Sequence, residues 1–241
     1  MDFLTEVWSR ATTPQPLPSS GVVLTAAFIA LACVVVPGVW PLARHALTVL
    51  HEGAHAAVAV LTGRRLAGIR LHTDTSGLTV SVGRTHGPGM VATTAAGYPG
   101  PALIGLAAAW VLGRGYAVGV LWALLVAVVL LLVQVRNVYG LWVLLLGGVG
   151  LAALTWWAPT ALQVAVAYAL TCFLLLGAPR AVVELQSHRR RERRAGRRRT
   201  SDADQLARLT MLPAIVWVGV FLVTTVGALV VGLLWILLPG R

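Results

Sequence analysis

Two histidines and a glutamate stand close together in the sequence, at His51, Glu52 and His55, in the pattern H-E-x-x-H. On a helix, residues four positions apart project from one face about one turn apart, so the two imidazoles can hold one zinc ion. The carboxylate in this pattern is not a ligand, because it takes a proton from a water molecule that the metal activates. The spacing therefore predicts a hydrolytic zinc site with His51 and His55 as ligands and Glu52 as general base.

The residues around this pattern are apolar, with Val49 and Leu50 before it and the run 56–61 after it. A surface helix with an ordinary His/Glu pair is the alternative interpretation of so short a pattern. Ionisable side chains at membrane depth are costly and mark functional sites, because without a role they would lack both solvent and a partner. The neighbourhood therefore favours zinc binding.

The composition indicates a membrane protein. Hydrophobic residues make up 58% of the 241 positions and charged residues 11%, which is outside the range of soluble domains. Three prolines in residues 1–20 prevent a continuous helix there, so we expect an N-terminal tail followed by one integral membrane domain over residues 21–241. The net charge of +11 does not predict a nucleic-acid partner, because eight of the 19 basic residues lie in one run, Arg189 to Arg199. Such a run between apolar segments is typical of a topology signal and of contact with anionic membrane lipids.

The apolar stretches predict an all-α polytopic membrane protein with about seven transmembrane helices. We expect spans at residues 21–40, 44–61, 89–112, 115–135, 139–157, 159–176 and 212–238. Pro37 and Pro41 should bend or end the first span, and Gly63 should cap the second. The segment Gly97 to Pro101 interrupts the third span, and such a break is tolerated where the backbone lines a wet cavity or is buried in protein, so it should face the active site.

Residues 66–83 show a different period. Polar and apolar side chains alternate on both sides of Asp74-Thr75-Ser76-Gly77, which predicts a small β-hairpin directly after the zinc-motif helix. The free edge of such a hairpin can pair with an unwound substrate segment through main-chain hydrogen bonds. The alternative is a connecting loop that contacts nothing.

The arginines predict an orientation. With seven spans and the basic loop of residues 186–204 in the cytoplasm, the amino terminus lies in the cytoplasm and the carboxyl terminus outside. Arg44 and Arg114 then fall outside, whereas the hairpin and residues 201–210 lie on the cytoplasmic side.

A hydrolytic zinc site needs a third protein ligand. Our first candidate is Asp202, because Ser201-Asp202-Ala203 begins a short helix that leads into the last span and can tuck against the metal helix. Ser201 and Asp202 would otherwise serve as a helix cap, and the other candidate ligands are Asp74, Asp204 and Asn137. Three of the other histidines fit interfacial or loop positions; they are His45, His72 and His86. A third histidine six residues after the second is absent, since Leu61 stands there.

These motifs together resemble the site-2 protease family of intramembrane zinc metallopeptidases. The resemblance is carried by the H-E-x-x-H helix, the hairpin, Ala96-Gly97-Tyr98-Pro99-Gly100 and Ser201-Asp202-Ala203, and it is closest to the bacterial and plant B-type branch. It implies an endopeptidase that cuts transmembrane protein substrates, often releasing a cytosolic regulator, and it places the chain in a bacterial plasma membrane. Classical members carry their third ligand in an Asn-x-x-Pro…Leu-Asp-Gly element, and this chain has no Leu-Asp-Gly; Arg136-Asn137 is at most a remnant of it.

Two other functions fit the same sequence features. One is an inactive relative that binds a membrane partner without cutting it, and the other is a transporter that uses the buried histidines and glutamate as an ion or proton path. The sequence names neither the substrate nor the oligomeric state.

Overall fold

The computed structural model of the protein describes residues 2–196 and 200–238. Twelve elements follow one another in this part of the chain. They are α1 (Phe3–Thr12), α2 (Ser20–Val35), α3 (Trp40–Leu61), β1 (Arg65–Leu71), β2 (Gly77–Val82), α4 (Pro88–Ala95), α5 (Pro99–Leu112), α6 (Ala117–Gln134), α7 (Val138–Trp157), α8 (Thr160–Arg194), α9 (Asp202–Thr210) and α10 (Ala214–Leu237).

Four helices, α6, α7, α8 and α10, are long and apolar enough to cross a membrane, and two bent pairs raise this number to six. The first pair joins α2 to α3 through a bend of 99°, and the second joins α4 to α5 through a bend of 67°. The prediction of an all-α membrane protein with a small hairpin is confirmed. Sequence analysis predicts seven spans because it counts α2 and α3 as two separate crossings. The structure joins these two helices as one bent pair, which gives up to six spans.

Proline and glycine set these bends, as the sequence predicts. Pro37 lies in the break after α2, and Pro41 occupies the first turn of α3, where its missing N–H leaves no hydrogen bond unmade. At the other end of α3, Gly63 has a φ of 76°, in the left-handed region that glycine adopts without strain. The Gly63 N–H donates to the Val60 carbonyl and the Arg64 N–H to the Ala59 carbonyl, so the helix closes with a Schellman motif.

The core of the bundle is built on α8, which packs against α2, α5, α6 and α10. Many of the residues in these contacts are small and let the helix backbones approach closely, as is usual between membrane helices. Among the most deeply buried are Ala30, Ala102, Ala109, Ala167 and Cys172. A Cβ at Gly232 of α10 would lie 2.7 Å from a Leu175 methyl carbon of α8, so a larger residue there would displace that side chain.

The β-hairpin forms as predicted and rests on α3. Strands β1 and β2 are antiparallel, and the hydroxyl of Thr48 on α3 donates to the Thr75 carbonyl in the turn at 2.9 Å. The outer edge of β1 is covered, because Ile69 pairs with Val135 after α6 and the Ile69 carbonyl accepts from the Arg136 N–H. No described strand pairs with the outer edge of β2. The hairpin therefore contacts the zinc-motif helix, and the interpretation of a loop that contacts nothing is wrong.

Two segments differ from the sequence prediction. The tail contains α1, which ends at Thr12, just before the three prolines, and Gln15 then donates through its backbone N–H to the Gly115 carbonyl. The predicted basic loop of residues 186–204 is helical through Arg194, because the arginines there are good helix formers and follow the apolar part of α8 without a break. Arg197, Arg198 and Arg199 of the basic run lie outside the described residues.

Arg44 lies toward the same end of α8 as the basic run, whereas sequence analysis predicts the two on opposite sides of the membrane. Arg44 at the start of α3 forms an ion pair with Glu184 of α8 at 3.4 Å, ten residues before the end of that helix. The N-terminal helix lies at the other end of α8, because Arg10 donates to the Trp156 carbonyl just before α8 begins. The N-terminal helix and the basic run therefore lie toward opposite ends of α8.

Candidate metal centre

Helix α3 brings its two motif histidines together on one face, as their spacing predicts. The Nε2 atoms of His51 and His55 lie 3.1 Å apart, and the His55 side chain is buried. The Nδ1 atom of His55 lies 2.7 Å from the Thr93 carbonyl of α4 and donates its proton there. This hydrogen bond holds a proton on Nδ1, so Nε2 is the ring nitrogen that can give up its proton and bind a metal.

Aromatic packing holds the second imidazole. The ring of His51 meets the ring of Tyr98 edge to face at 4.7 Å, and Tyr98 stacks on Phe221 of α10 at 5.3 Å. Tyr98 lies in the break between α4 and α5, so this break faces the histidines as the sequence predicts. The α4/α5 break therefore holds the His51 ring directly through Tyr98, and α10 holds Tyr98 in turn through Phe221.

The same break approaches the histidines so closely that it tolerates no side chain at one position. A Cβ at Gly97 would lie 2.4 Å from His55 Nε2 and 2.5 Å from His51 Cε1. Three residues later, a Cβ at Gly100 would lie 2.3 Å from the Ala54 Cβ. Glycine is needed at both positions because the backbone of the break lies directly against the motif helix.

The structure brings Asp202 to the histidines from the far end of the sequence. Its Oδ2 atom lies 3.3 Å from His51 Nε2 and 3.3 Å from His55 Nε2. Tetrahedral ligands at 2.0–2.1 Å from zinc are separated by about 3.3 Å, so the triangle of three donor atoms has the size that zinc requires. In the described part of the chain these three residues form a group that can hold a metal ion.

The Asp202 carboxyl is ionised in this setting. Burial opposes its ionisation, but the charge of His55 and the hydrogen bonds from both imidazoles outweigh burial and hold the pKa of Asp202 well below its usual range. A carboxylate must be deprotonated to bind a metal, so the local electrostatics suit a ligand.

The other candidate ligands have different partners. Asp74 accepts hydrogen bonds from the Ser76 hydroxyl and backbone N–H at the hairpin tip, and these bonds lower the pKa of Asp74. Asn137 pairs with both backbone groups of Leu71, at 2.7 Å and 3.1 Å, in the manner of a strand residue. Neither side chain belongs to the metal-holding group, and the same holds for Asp204.

Asp204 instead anchors the helix that carries Asp202. Arg189 of α8 reaches both carboxylate oxygens of Asp204 at 2.9–3.3 Å, and both side chains are less than one-tenth exposed. The Ser201 hydroxyl donates to Asp204 Oδ2 at 2.6 Å and caps α9. This buried ion pair joins the end of α8 to the first turn of α9 and so fixes where Asp202 lies.

Glu52 is buried against the hairpin. The Thr79 hydroxyl of β2 lies 2.6 Å from Glu52 Oε2 and 3.0 Å from the Glu52 carbonyl oxygen. A Cβ at Gly77 would lie 2.5 Å from Glu52 Oε1, so the strand backbone also closes on this carboxylate. Sequence analysis did not identify Thr79 or Thr93 as site residues, although the alternation of β2 could have placed Thr79 on the helix-facing side of the strand.

The three histidines that sequence analysis assigns to interfacial or loop positions lie away from the donor triangle. The Nε2 atom of His45 lies 2.7 Å from the Tyr139 hydroxyl, and the Nδ1 atom of His72 lies 3.3 Å from the Ser76 hydroxyl. His86 is exposed in the loop before α4. None of them belongs to the described metal-holding group.

The sequence model of the family described as Peptidase M50B-like matches residues 24–232 of the chain. The matched range contains the motif helix, the hairpin, the α4/α5 break and the helix that carries Asp202. No curated protein and no solved structure matches the chain.

Proposed function

Because the chain belongs to the Peptidase M50B-like family, we propose that it is a zinc-dependent endopeptidase that hydrolyses peptide bonds of membrane-embedded protein substrates. One observation carries this proposal. Three donor atoms from His51, His55 and Asp202 form a triangle with edges of 3.1–3.3 Å, beside a buried glutamate on the same helix. This donor set is the His₂-carboxylate type of catalytic zinc sites, which leave a further position open.

The residues divide the proposed chemistry between them. His51, His55 and Asp202 hold the ion, which when bound polarises the substrate carbonyl and makes a water molecule more acidic. Glu52 accepts a proton from the attacking water and delivers it to the nitrogen of the leaving amine. Thr79 holds the Glu52 carboxylate in one orientation through its hydroxyl. Thr93 holds the imidazole of His55 through its carbonyl.

The proposed substrate is a transmembrane protein segment that unwinds beside the hairpin. The outer edge of β2 is not paired with any described strand, and β2 contacts Glu52 directly. The exposed side chains of β2 are apolar, namely Leu78, Val80 and Val82. An extended substrate segment that pairs with this edge would form main-chain hydrogen bonds close to the general base, and apolar side chains would fit it. Cleavage there releases the substrate's soluble part, such as a cytosolic regulator.

We place the basic end of the bundle in the cytoplasm of a bacterial cell. Arg44 joins the basic run of α8 at that end, so the charge difference between the two ends is larger than sequence analysis predicts. Both termini of the described chain then lie outside, since α2 and α10 run between the same two ends. In a chain with Cys33 and Cys172 replaced by Ser, an impermeant thiol reagent should label Thr12→Cys in intact cells but not Gly196→Cys. Labelling of Gly196→Cys with Thr12→Cys protected would reverse the orientation.

The experiment that tests the proposed activity compares metal content and cleavage in the same preparations. Glu52→Gln keeps the size of the side chain but removes the proton acceptor, so zinc should stay near one equivalent while cleavage of a membrane-spanning peptide falls at least about 100-fold. His51→Ala and Asp202→Asn should lower zinc and cleavage together. Matched controls are Glu6→Gln on α1 and Asp74→Asn in the hairpin turn, which should change neither measurement.

The same data distinguish the alternatives. Cleavage by Glu52→Gln at the parental rate would remove the proposed mechanism, and full zinc retention by His51→Ala would remove the metal site. A parental protein that binds zinc but cuts no membrane peptide would be a binding protein. If the parental protein binds no zinc, ion or proton transport remains as the function that would use the buried histidines.

A further inference from the structure

An open groove of about 870 Å³ lies at the basic end of the bundle, between the last turns of α8, helix α9 and the start of α10. It is separate from the donor triangle, although Asp204 of its lining is two residues from Asp202. The volume is within the range of pockets that bind small molecules, so the groove can take a ligand larger than a single phosphate ion.

The lining is strongly positive. The groove is lined by one carboxylate, Asp204, and by four arginines, Arg189, Arg190, Arg193 and Arg208. The lining therefore carries a net charge of +3. Arg189 and Asp204 are paired with each other, whereas the side chains of Arg190 and Arg193 are exposed and lie three residues apart on one face of α8. Guanidinium groups in such an arrangement bind phosphate oxygens with two parallel hydrogen bonds each.

One wall of the groove is apolar and continues into the membrane-crossing surface. Pro213, Ala214 and Ile215 form this wall, and Ile215 begins the exposed apolar side of α10. Met211 and Leu212, just before it, are also exposed. A ligand that fits this groove therefore has an anionic part for the arginines and an apolar part that runs along α10.

The length of α8 places the groove outside the hydrocarbon core. With 35 residues at about 1.5 Å each, this helix is about 52 Å long, against about 30 Å for the hydrocarbon core of a bilayer. Its arginine-bearing end therefore extends beyond the core when its apolar part lies in the core. Lipid phosphates lie just outside the core, on the path of this end of α8.

We propose that the groove binds one anionic phospholipid, with its headgroup phosphate between Arg190 and Arg193 and its acyl chains along the start of α10. The apolar wall distinguishes this ligand from a free phosphate compound, which would use the arginines alone. The proposal does not depend on peptidase activity, because it concerns binding at a surface outside the donor triangle.

The test measures lipid binding to the full chain purified in a neutral detergent. Native mass spectrometry should detect one tightly bound phosphatidylglycerol molecule and no comparable binding of phosphatidylcholine. The double variant Arg190→Gln with Arg193→Gln should weaken phosphatidylglycerol binding at least tenfold. The matched control removes two arginines at the other end of the bundle, Arg10→Gln with Arg114→Gln, and should stay within twofold of the parent. Equal thermal unfolding of both double variants shows that the fold is kept.

Competitors separate the possible ligands. Excess glycerol phosphate or inorganic phosphate should not displace the lipid, and an acidic peptide should not either. Displacement by glycerol phosphate would assign the groove to a soluble phosphate compound, and displacement by the peptide would assign it to a protein partner; either result overturns the proposal. Equal loss of lipid in both double variants would show diffuse attraction to a basic surface and would also overturn it.

Discussion

Helices α3 and α9 supply the three donor atoms by different routes. In α3, His51 and His55 are one helical turn apart, so their approach to 3.1 Å follows from local geometry once the helix forms. In α9, Asp202 reaches the site through tertiary contacts of its helix, among them the buried pair between Arg189 and Asp204. A local pattern can therefore be recognised in a sequence, whereas a ligand placed by tertiary contacts is recognised in the folded chain.

The two aspartates of α9 show this difference within one helix. Residues two apart on a helix are about 200° apart around its axis, so Asp202 and Asp204 cannot face the same partner. One of them meets the histidines and the other meets Arg189. Their spacing on the helix makes the two side chains point in different directions. The position of α8 then determines which of them faces the metal-holding group.

The largest effect should come from crowding the α3 histidines. Gly97→Ala adds a Cβ within 2.6 Å of both imidazoles, in a break where the backbone has little room to move. We expect zinc affinity to fall at least tenfold and cleavage at least about 100-fold, because a displacement of about 1 Å is enough to cause such a loss. The control is Gly147→Ala on α7, where nothing lies within 4 Å of the added carbon. Normal zinc content in Gly97→Ala would show that the break is not part of the metal site.

A smaller effect should come from releasing α9. Arg189→Gln leaves Asp204 buried without its bidentate partner, so α9 should lose its fixed position and zinc affinity should fall about 10- to 100-fold. Adding Asp204→Asn removes the buried charge that has lost Arg189 and should restore the fold, which thermal unfolding measures, but should leave zinc affinity low. The matched control is the surface pair between Glu6 and Arg10, whose side chains are 38% and 37% exposed, and Glu6→Gln should not alter zinc affinity. Parental zinc affinity in the double variant would contradict the role of this ion pair.

The smallest effect should come from the hairpin. Thr79→Val removes the hydroxyl that holds the Glu52 carboxylate, so cleavage should fall several-fold while zinc content is unchanged. Thr79→Ser keeps the hydroxyl and should restore the rate, which separates positioning from packing of the strand. Thr224→Val on the exposed side of α10 is the control for the same substitution. A rate for Thr79→Val equal to that of the parent would mean that Glu52 is oriented without the hairpin.

Much of this arrangement could be predicted from residue types and spacing. Apolar runs located the membrane helices, Pro37 and Gly63 marked the ends of α2 and α3, and the alternation around Asp74 predicted the hairpin. These signals are local, because hydrophobic period and backbone conformation depend on neighbours in the sequence.

The features that sequence analysis missed depend on contacts between distant residues. Arg44 is near the basic end because it pairs with Glu184, 140 positions later, and no property of the residues around Arg44 indicates that partner. Asn137 looks like a possible ligand in sequence, yet it pairs with Leu71 and closes the edge of β1. Thr79 matters through its closeness to Glu52, which only the packing of the hairpin against α3 reveals.

The distance along the chain between His55 and Asp202 has a consequence for biosynthesis. The two residues are 147 positions apart, and ribosomes add about 5–20 residues per second, so roughly 7 to 30 s pass between the synthesis of the first two donors and the third. During this interval the inserted part of the chain holds two of the three donor atoms. A nascent or truncated chain that ends before α9 therefore lacks a complete donor set. The donor set is complete only when nearly the whole bundle has been made.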